Sequence, residues 1–148
     1  MNEPKKKYGG YLIAEGEKFT IIAAINKNGN SPFYEYFKEL SIKYNKLADK
    51  GIKKRNKINI EYTVLSDYFD KFSDSGPWSN TNQIKSLGDG YYEFKHIQSG
   101  LRVPFYYDKI NQKAIVLTHY FNKDEQKTEF KELERMKNIK KEFDELRK

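Results

Sequence analysis

The sequence predicts an α+β fold: an antiparallel sheet, made of an N-terminal strand plus a three-stranded meander, packed with an N-terminal helical hairpin and a long C-terminal helix. Three observations predict it. Apolar residues recur at helical spacing between Phe33 and Leu47 and again between Val64 and Phe72. Three short runs rich in aromatic and β-branched residues follow one another at hairpin spacing between Tyr91 and Phe121. The chain then closes on an amphipathic segment.

Taken in order, residues 1–10 carry Lys5, Lys6 and Lys7 before Gly9-Gly10 and read as a mobile basic arm. Phe19-Thr-Ile-Ile-Ala-Ala-Ile25 is short, apolar and β-branched, as a buried strand requires, and Asn26 to Asn30 ends it with turn chemistry. Ser31-Pro32 opens the first helix: Ser can cap free amides, and Pro at the first helical position lacks only a donor that has no partner there. Phe33, Phe37, Leu40, Tyr44 and Leu47 form its buried stripe, and Gly51 offers a stop. Val64, Leu65, Tyr68, Phe69 and Phe72 place a second helix over 61–73, broken by Ser75-Gly76-Pro77.

Gly88-Asp-Gly90 then supplies the turn before Tyr91 to Ile97. Leu101 to Tyr107 and Ala114 to Phe121 complete the meander. Pro104 has no N–H to give a ladder, which points to an edge, a bulge or an irregular pairing beside it. From Asp124 to Arg147, Phe130, Leu133, Met136 or Lys137, Ile139 or Lys140, Phe143 and Leu146 line one stripe among alternating charges, the pattern of a long helix packed on a sheet.

Composition narrows the function classes. The absence of Cys excludes disulfides, thiolate nucleophiles and Cys-based zinc sites, and leaves His96 and His119 as the two imidazoles. No run approaches the ~18 apolar residues of a membrane span, so a cytoplasmic protein is expected. The net charge of +7 favours polyanionic partners, nucleic acid first. Lys123 to Lys148 is nearly balanced, so the positive field belongs to the body of the chain. Lys53, Lys54 and Arg55, in a basic stretch after the first helix, are candidate phosphate contacts.

Three local words carry a resemblance. Lys85-Ser-Leu-Gly-Asp-Gly-Tyr-Tyr-Glu-Phe-Lys95, Thr118-His-Tyr-Phe-Asn-Lys-Asp-Glu-Gln-Lys-Thr128 and Asn30-Ser-Pro-Phe33 resemble, in order, segments of the phage-derived HigB-like toxins of the RelE/ParE superfamily. The likeness covers roughly residues 19–145. It implies a RelE-like fold over 19–148, with residues 1–18 as a basic N-terminal extension. Three departures stand out: Lys95 replaces an Arg, Asp124 replaces a Lys, and Glu129 stands where Pro is common. Lys at 95 keeps the charge but not the planar fork.

The resemblance implies a toxin of a toxin–antitoxin pair: a ribosome-dependent mRNA endonuclease needing neither metal nor cofactor. The ribose 2′-hydroxyl would attack the adjacent phosphate, which requires a proton acceptor, a proton donor and fixed positive charge. It also implies two partners, mRNA on the ribosome and a helix-turn-helix antitoxin. Relatives that block gyrase instead, or a non-catalytic phage-derived binding protein, are the alternatives.

Strand parity decides which side chains can act together. Tyr91, Glu93 and Lys95 share one face, as do Arg102 and Tyr106 on the next strand, and this face is taken as the open, concave one. Lys95 and Arg102 would bracket the scissile phosphate, with Glu93 beside them and Tyr91 and Tyr106 placed to hold or stack on a base. His119, Lys123 and Lys127 would complete the rim. His119 is the candidate general acid or base, because imidazole titrates near neutrality.

Overall fold

The computed structural model describes residues 4–51, 56–123 and 130–148. Within them the chain runs β1 (Lys6–Lys7), β2 (Gly10–Glu15), β3 (Thr20–Ala23), α1 (Pro32–Asp49), α2 (Lys57–Ser75), β4 (Ile84–Gly88), β5 (Tyr91–His96), β6 (Leu101–Tyr107), β7 (Ala114–Leu117), β8 (Phe121–Asn122) and α3 (Phe130–Leu146). The strands make one sheet in the order β1-β2-β3-β7-β6-β5-β4, with β8 added to β6. The fold is α+β, as expected from the sequence.

The meander β5-β6-β7 is antiparallel throughout. The strand read at Phe19 to Ile25 forms as β3 and joins β7 in parallel, with Ile21 opposite Ile115 and Ile22 opposite Val116. A sheet covered on both sides explains why this strand reads as an unbroken apolar run. Ile21 and Ala23 face α1 and α2 in one core, while Ile22, Ala24 and Ile25 face Met136, Ile139 and Phe143 of α3 in another.

Three strands outside the expected set, β1, β2 and β4, enlarge the sheet. β2 pairs with β3, and β1 pairs with β2, so Lys6, Lys7 and Gly10 are ladder residues where a mobile arm was expected. β4 pairs with β5 and carries Lys85 opposite Glu93. The β4–β5 turn uses three consecutive left-handed residues, Gly88 (φ 88°), Asp89 (φ 55°) and Gly90 (φ 84°), which is the reason for a glycine on either side of the aspartate.

The helix starts follow local chemistry. Pro32 occupies the first turn of α1, but the Ser31 side chain makes no capping bond. Instead the Glu35 carboxylate accepts from the Ser31 N–H at 2.8 Å. Asn56 caps α2 by accepting from the Asn59 N–H at 2.9 Å, which starts this helix a turn earlier than its apolar stripe indicated. At the far end of α3, Arg147 donates to both Asp108 oxygens (2.8 and 3.2 Å) and ties that helix to the end of β6.

Pro104 sits inside the sheet, beside the irregularity expected of it. Its carbonyl accepts from the Thr118 N–H at 3.0 Å, so its nitrogen also faces the β7–β8 seam. There the ladder breaks: β7 ends at Leu117 opposite Phe105, and pairing resumes with Phe121 opposite Arg102. Residues 118–120 span the gap with one residue more than strict register would hold. That bulge carries His119.

Candidate functional site

The period-2 alternation of β5 and β6 places the candidate residues on one face. Lys95 lies directly opposite Arg102, Glu93 opposite Pro104, and Tyr91 opposite Tyr106. The other parity, Tyr92, Phe94, Val103 and Phe105, packs under α1 and α2. β4 brings Lys85 alongside Glu93, and β8 delivers Lys123 to the start of β6, where its N–H donates to the Gly100 carbonyl at 2.7 Å. A side chain at Gly100 would collide with the Lys123 carbonyl, so the glycine permits this close approach.

Arg102, Lys85 and Lys123 and the Glu93 carboxylate therefore all act on Lys95. Arg102 Nε stands 3.9 Å from Glu93 Oε2, and Arg102 Nη1 donates to the Leu101 carbonyl at 2.8 Å. Two like charges opposite each other on neighbouring strands repel, and Glu93 offsets this. Burial lowers the Lys95 pKa from its ordinary value, and the charges of Arg102, Lys85 and Lys123 lower it further, against a smaller opposing pull from Glu93. Lys95 is thus a readier proton donor than a surface lysine.

His119 occupies the bulge on the same side of the sheet, stacked 5.6 Å from Phe121, the cross-strand partner of Arg102. Its Nδ1 lies 2.9 Å from the Thr118 hydroxyl and its Nε2 3.2 Å from Glu132 Oε1 on α3. A neutral ring protonated at Nε2 satisfies both contacts, accepting from Thr118 and donating to Glu132. Burial, with the Arg135 cation nearby, lowers the His119 pKa to about 3. The expectation that this imidazole titrates near neutrality is corrected by its surroundings.

The face is also not open as expected. Glu93 and His119 are 0% exposed, Arg102 1%, Lys95 3% and Lys123 7%. The helical stripe of α3 marks which of its residues are buried, but it carries no signal for which face of the sheet they cover. Tyr106, expected to stack on a base, is buried under α3 with the Lys140 ammonium 5.2 Å from its ring centre. Tyr91 meets it edge-on and stays partly exposed. Along β6, Tyr106 lies four residues from Arg102, about 13 Å at the usual strand rise. Tyr91 and Tyr106 therefore form a separate group at the far end of the ribbon. Lys53, Lys54, Arg55 and Lys127 lie outside the described residues.

Three contributors were not singled out from the sequence: Lys85, Thr118 and Glu132. For Lys85 the signal was the Gly88-Asp-Gly90 hairpin turn, which calls for a strand on its N-terminal side as well as at Tyr91; Ile84-Lys-Ser-Leu87 itself does not alternate. Glu132 offered none, being one of many charges on an amphipathic helix.

Among the described residues, no helix is long and apolar enough to cross a membrane. No curated protein matches the chain. A family model described as phage-derived protein Gp49-like (DUF891) matches residues 50–141, from the end of α1 through the whole β4–β8 region into α3, and so includes every member of the cationic cluster. The chain belongs to this Gp49-like family of RelE/HigB type.

Proposed function

We propose that this protein is the toxin of a toxin–antitoxin pair, a ribosome-dependent mRNA endonuclease whose cationic face grips a ribose-phosphate link. The observation that carries the reading is the grouping of Lys85, Arg102, Lys123 and Glu93 about Lys95 on one side of the sheet. Arg102 and Lys123 supply fixed positive charge for the phosphorus as its negative charge grows. Lys95, with its lowered pKa, donates a proton to the leaving 5′-oxygen, and Glu93 accepts the proton of the attacking 2′-hydroxyl. The products are a 2′,3′-cyclic phosphate and a free 5′-hydroxyl. His119 acts as a neutral hydrogen-bonding group on the rim.

Glu132 on the first turn of α3 holds His119 at the rim of the buried cluster, and RNA entering there would release it. Docking on the ribosome supplies the binding energy for that opening and much of the substrate positioning. A helix-turn-helix antitoxin, binding the same basic face or α3, would hold the site shut.

Burial favours a second reading as well: a toxin of this fold that blocks another target, such as gyrase, and leaves these side chains as sheet structure. Brief induction in growing cells, with transcript 5′ ends mapped with and without active ribosomes, separates the two. The nuclease reading expects new 5′-hydroxyl ends that disappear on Arg102→Ala. Growth arrest with intact transcripts, persisting in that variant, supports the blocker.

A further inference from the structure

At the end of the β5–β6 ribbon opposite its 97–100 turn, away from the cationic cluster, lies a cleft of about 350 Å³. Tyr91, Tyr92, Tyr106, Tyr107, Lys109 and Lys140 contribute to its wall. The rings come from both parities of the two strands, because the cleft wraps round the tip of the ribbon between the Asp89 and Asp108 turns.

The Tyr106 hydroxyl singles this cleft out. The residue is 3% exposed, and its hydroxyl has no hydrogen-bond partner among the described residues. A buried hydroxyl left without a partner is costly and unusual in a native protein, unless a ligand or ordered water completes it. Burial, and the nearby Asp144 carboxylate, raise its pKa, so it remains a hydroxyl donor at any working pH.

The rest of the wall indicates what would accept that hydrogen bond. Tyr91, Tyr92 and Tyr107 are partly exposed rings, which suit the face of a planar heteroaromatic group. Lys109 is exposed at the mouth, while Lys140 lies over Tyr106 with its ammonium already donating to Asp144 at 2.7 Å. The negative charge of Asp108 is already met by Arg147. A planar base uses the rings and the hydroxyl together, and its phosphate can face Lys109; an aliphatic ligand leaves the rings without a stacking partner.

We infer that the cleft is a nucleotide notch, taking one base of the RNA strand whose backbone crosses the Arg102 face about 13 Å away. The Tyr106 hydroxyl donates to the base edge and Lys109 faces the adjoining phosphate. This inference rests on the RNA reading above, and a free mononucleotide would present the same chemistry.

The test uses the full chain, a 2′-O-methyl RNA hexamer that cannot be cleaved, and each of the four nucleoside 5′-monophosphates, with binding followed by calorimetry. Wild type, Tyr106→Phe, Lys109→Ala and Arg102→Ala are compared. Tyr106→Phe should weaken the hexamer and the preferred monophosphate about tenfold, and Lys109→Ala several-fold, while Arg102→Ala weakens only the hexamer. Thermal melting of Tyr106→Phe should match or exceed wild type, since it removes an unpartnered hydroxyl.

If the hexamer responds to Arg102→Ala but to neither Tyr106→Phe nor Lys109→Ala, the notch is overturned and the RNA reading survives. If monophosphates bind with the expected Tyr106 dependence and the hexamer does not bind at all, the assignment to an RNA strand is overturned. Failure of both probes overturns the notch outright.

Discussion

Glu93 holds the candidate site together at the level of single residues. It is buried between Arg102, on the neighbouring strand, and Lys85, its direct partner on β4, and it opposes the repulsion between Lys95 and Arg102. Glu93→Gln leaves buried cations without their counter-charge, and a loss of about 3 kcal/mol is expected in urea unfolding. A change under about 0.5 kcal/mol would show that the pair contributes no net stability. His119 gives a pH-dependent consequence. Folded His119 titrates near 3, whereas an unfolded imidazole titrates near 6.5. Between those values the unfolded chain binds the extra proton, so stability is full above about pH 6.5 and falls as pH drops toward 3. His119→Gln should flatten that decline, measured as unfolding midpoints from pH 7 to pH 4; an unchanged slope would mean the imidazole is already charged in the folded chain. The face shared by Glu93, Lys95, Arg102 and Tyr106 was legible in the sequence, because side chains in a strand alternate with period 2. The neutral state of His119 was not, because it depends on burial and on Arg135 from a distant helix.

α3 does two jobs along its length. Its far end is fixed by Phe143 in the core and by the Arg147–Asp108 pair, whose side chains are 9% and 1% exposed. Arg147→Ala would strand the buried Asp108 carboxylate, with about 3 kcal/mol lost in chemical unfolding. Its first turn, by contrast, exposes Phe130 and places Glu132 on His119. If that turn covers the cationic face, Glu132→Gln should raise the rate of ribosome-dependent cleavage several-fold in a single-turnover assay. An equal or lower rate would separate α3 from access to the site. The helix was legible in the sequence from its spacing, but the surface beneath it was not, since a stripe of apolar residues carries no address. β2 escaped notice for a related reason: Tyr11-Leu-Ile-Ala14 lacks clean alternation and follows a lysine-rich, Gly-Gly stretch that reads as loop. Its pairing with β3 covers that strand's outer edge.

The whole molecule is a mixed sheet between an α1–α2 layer and α3, with its chemistry-bearing residues on the α3 side. The fold class was legible because every long element had its own period. The parallel β3–β7 pair was not, because it joins strands some ninety residues apart through contacts that no local pattern encodes. This arrangement puts cations, a carboxylate and a bulge-borne imidazole on one buried face. The most direct measurement is cleavage of a defined mRNA on purified 70S ribosomes by wild type and Arg102→Ala, with the ends of the fragments identified. The account expects 2′,3′-cyclic phosphate and 5′-hydroxyl ends from the wild type, at least a hundredfold slower cleavage by the variant, and none without ribosomes. Uncut mRNA in the presence of folded, toxic wild-type protein would contradict it.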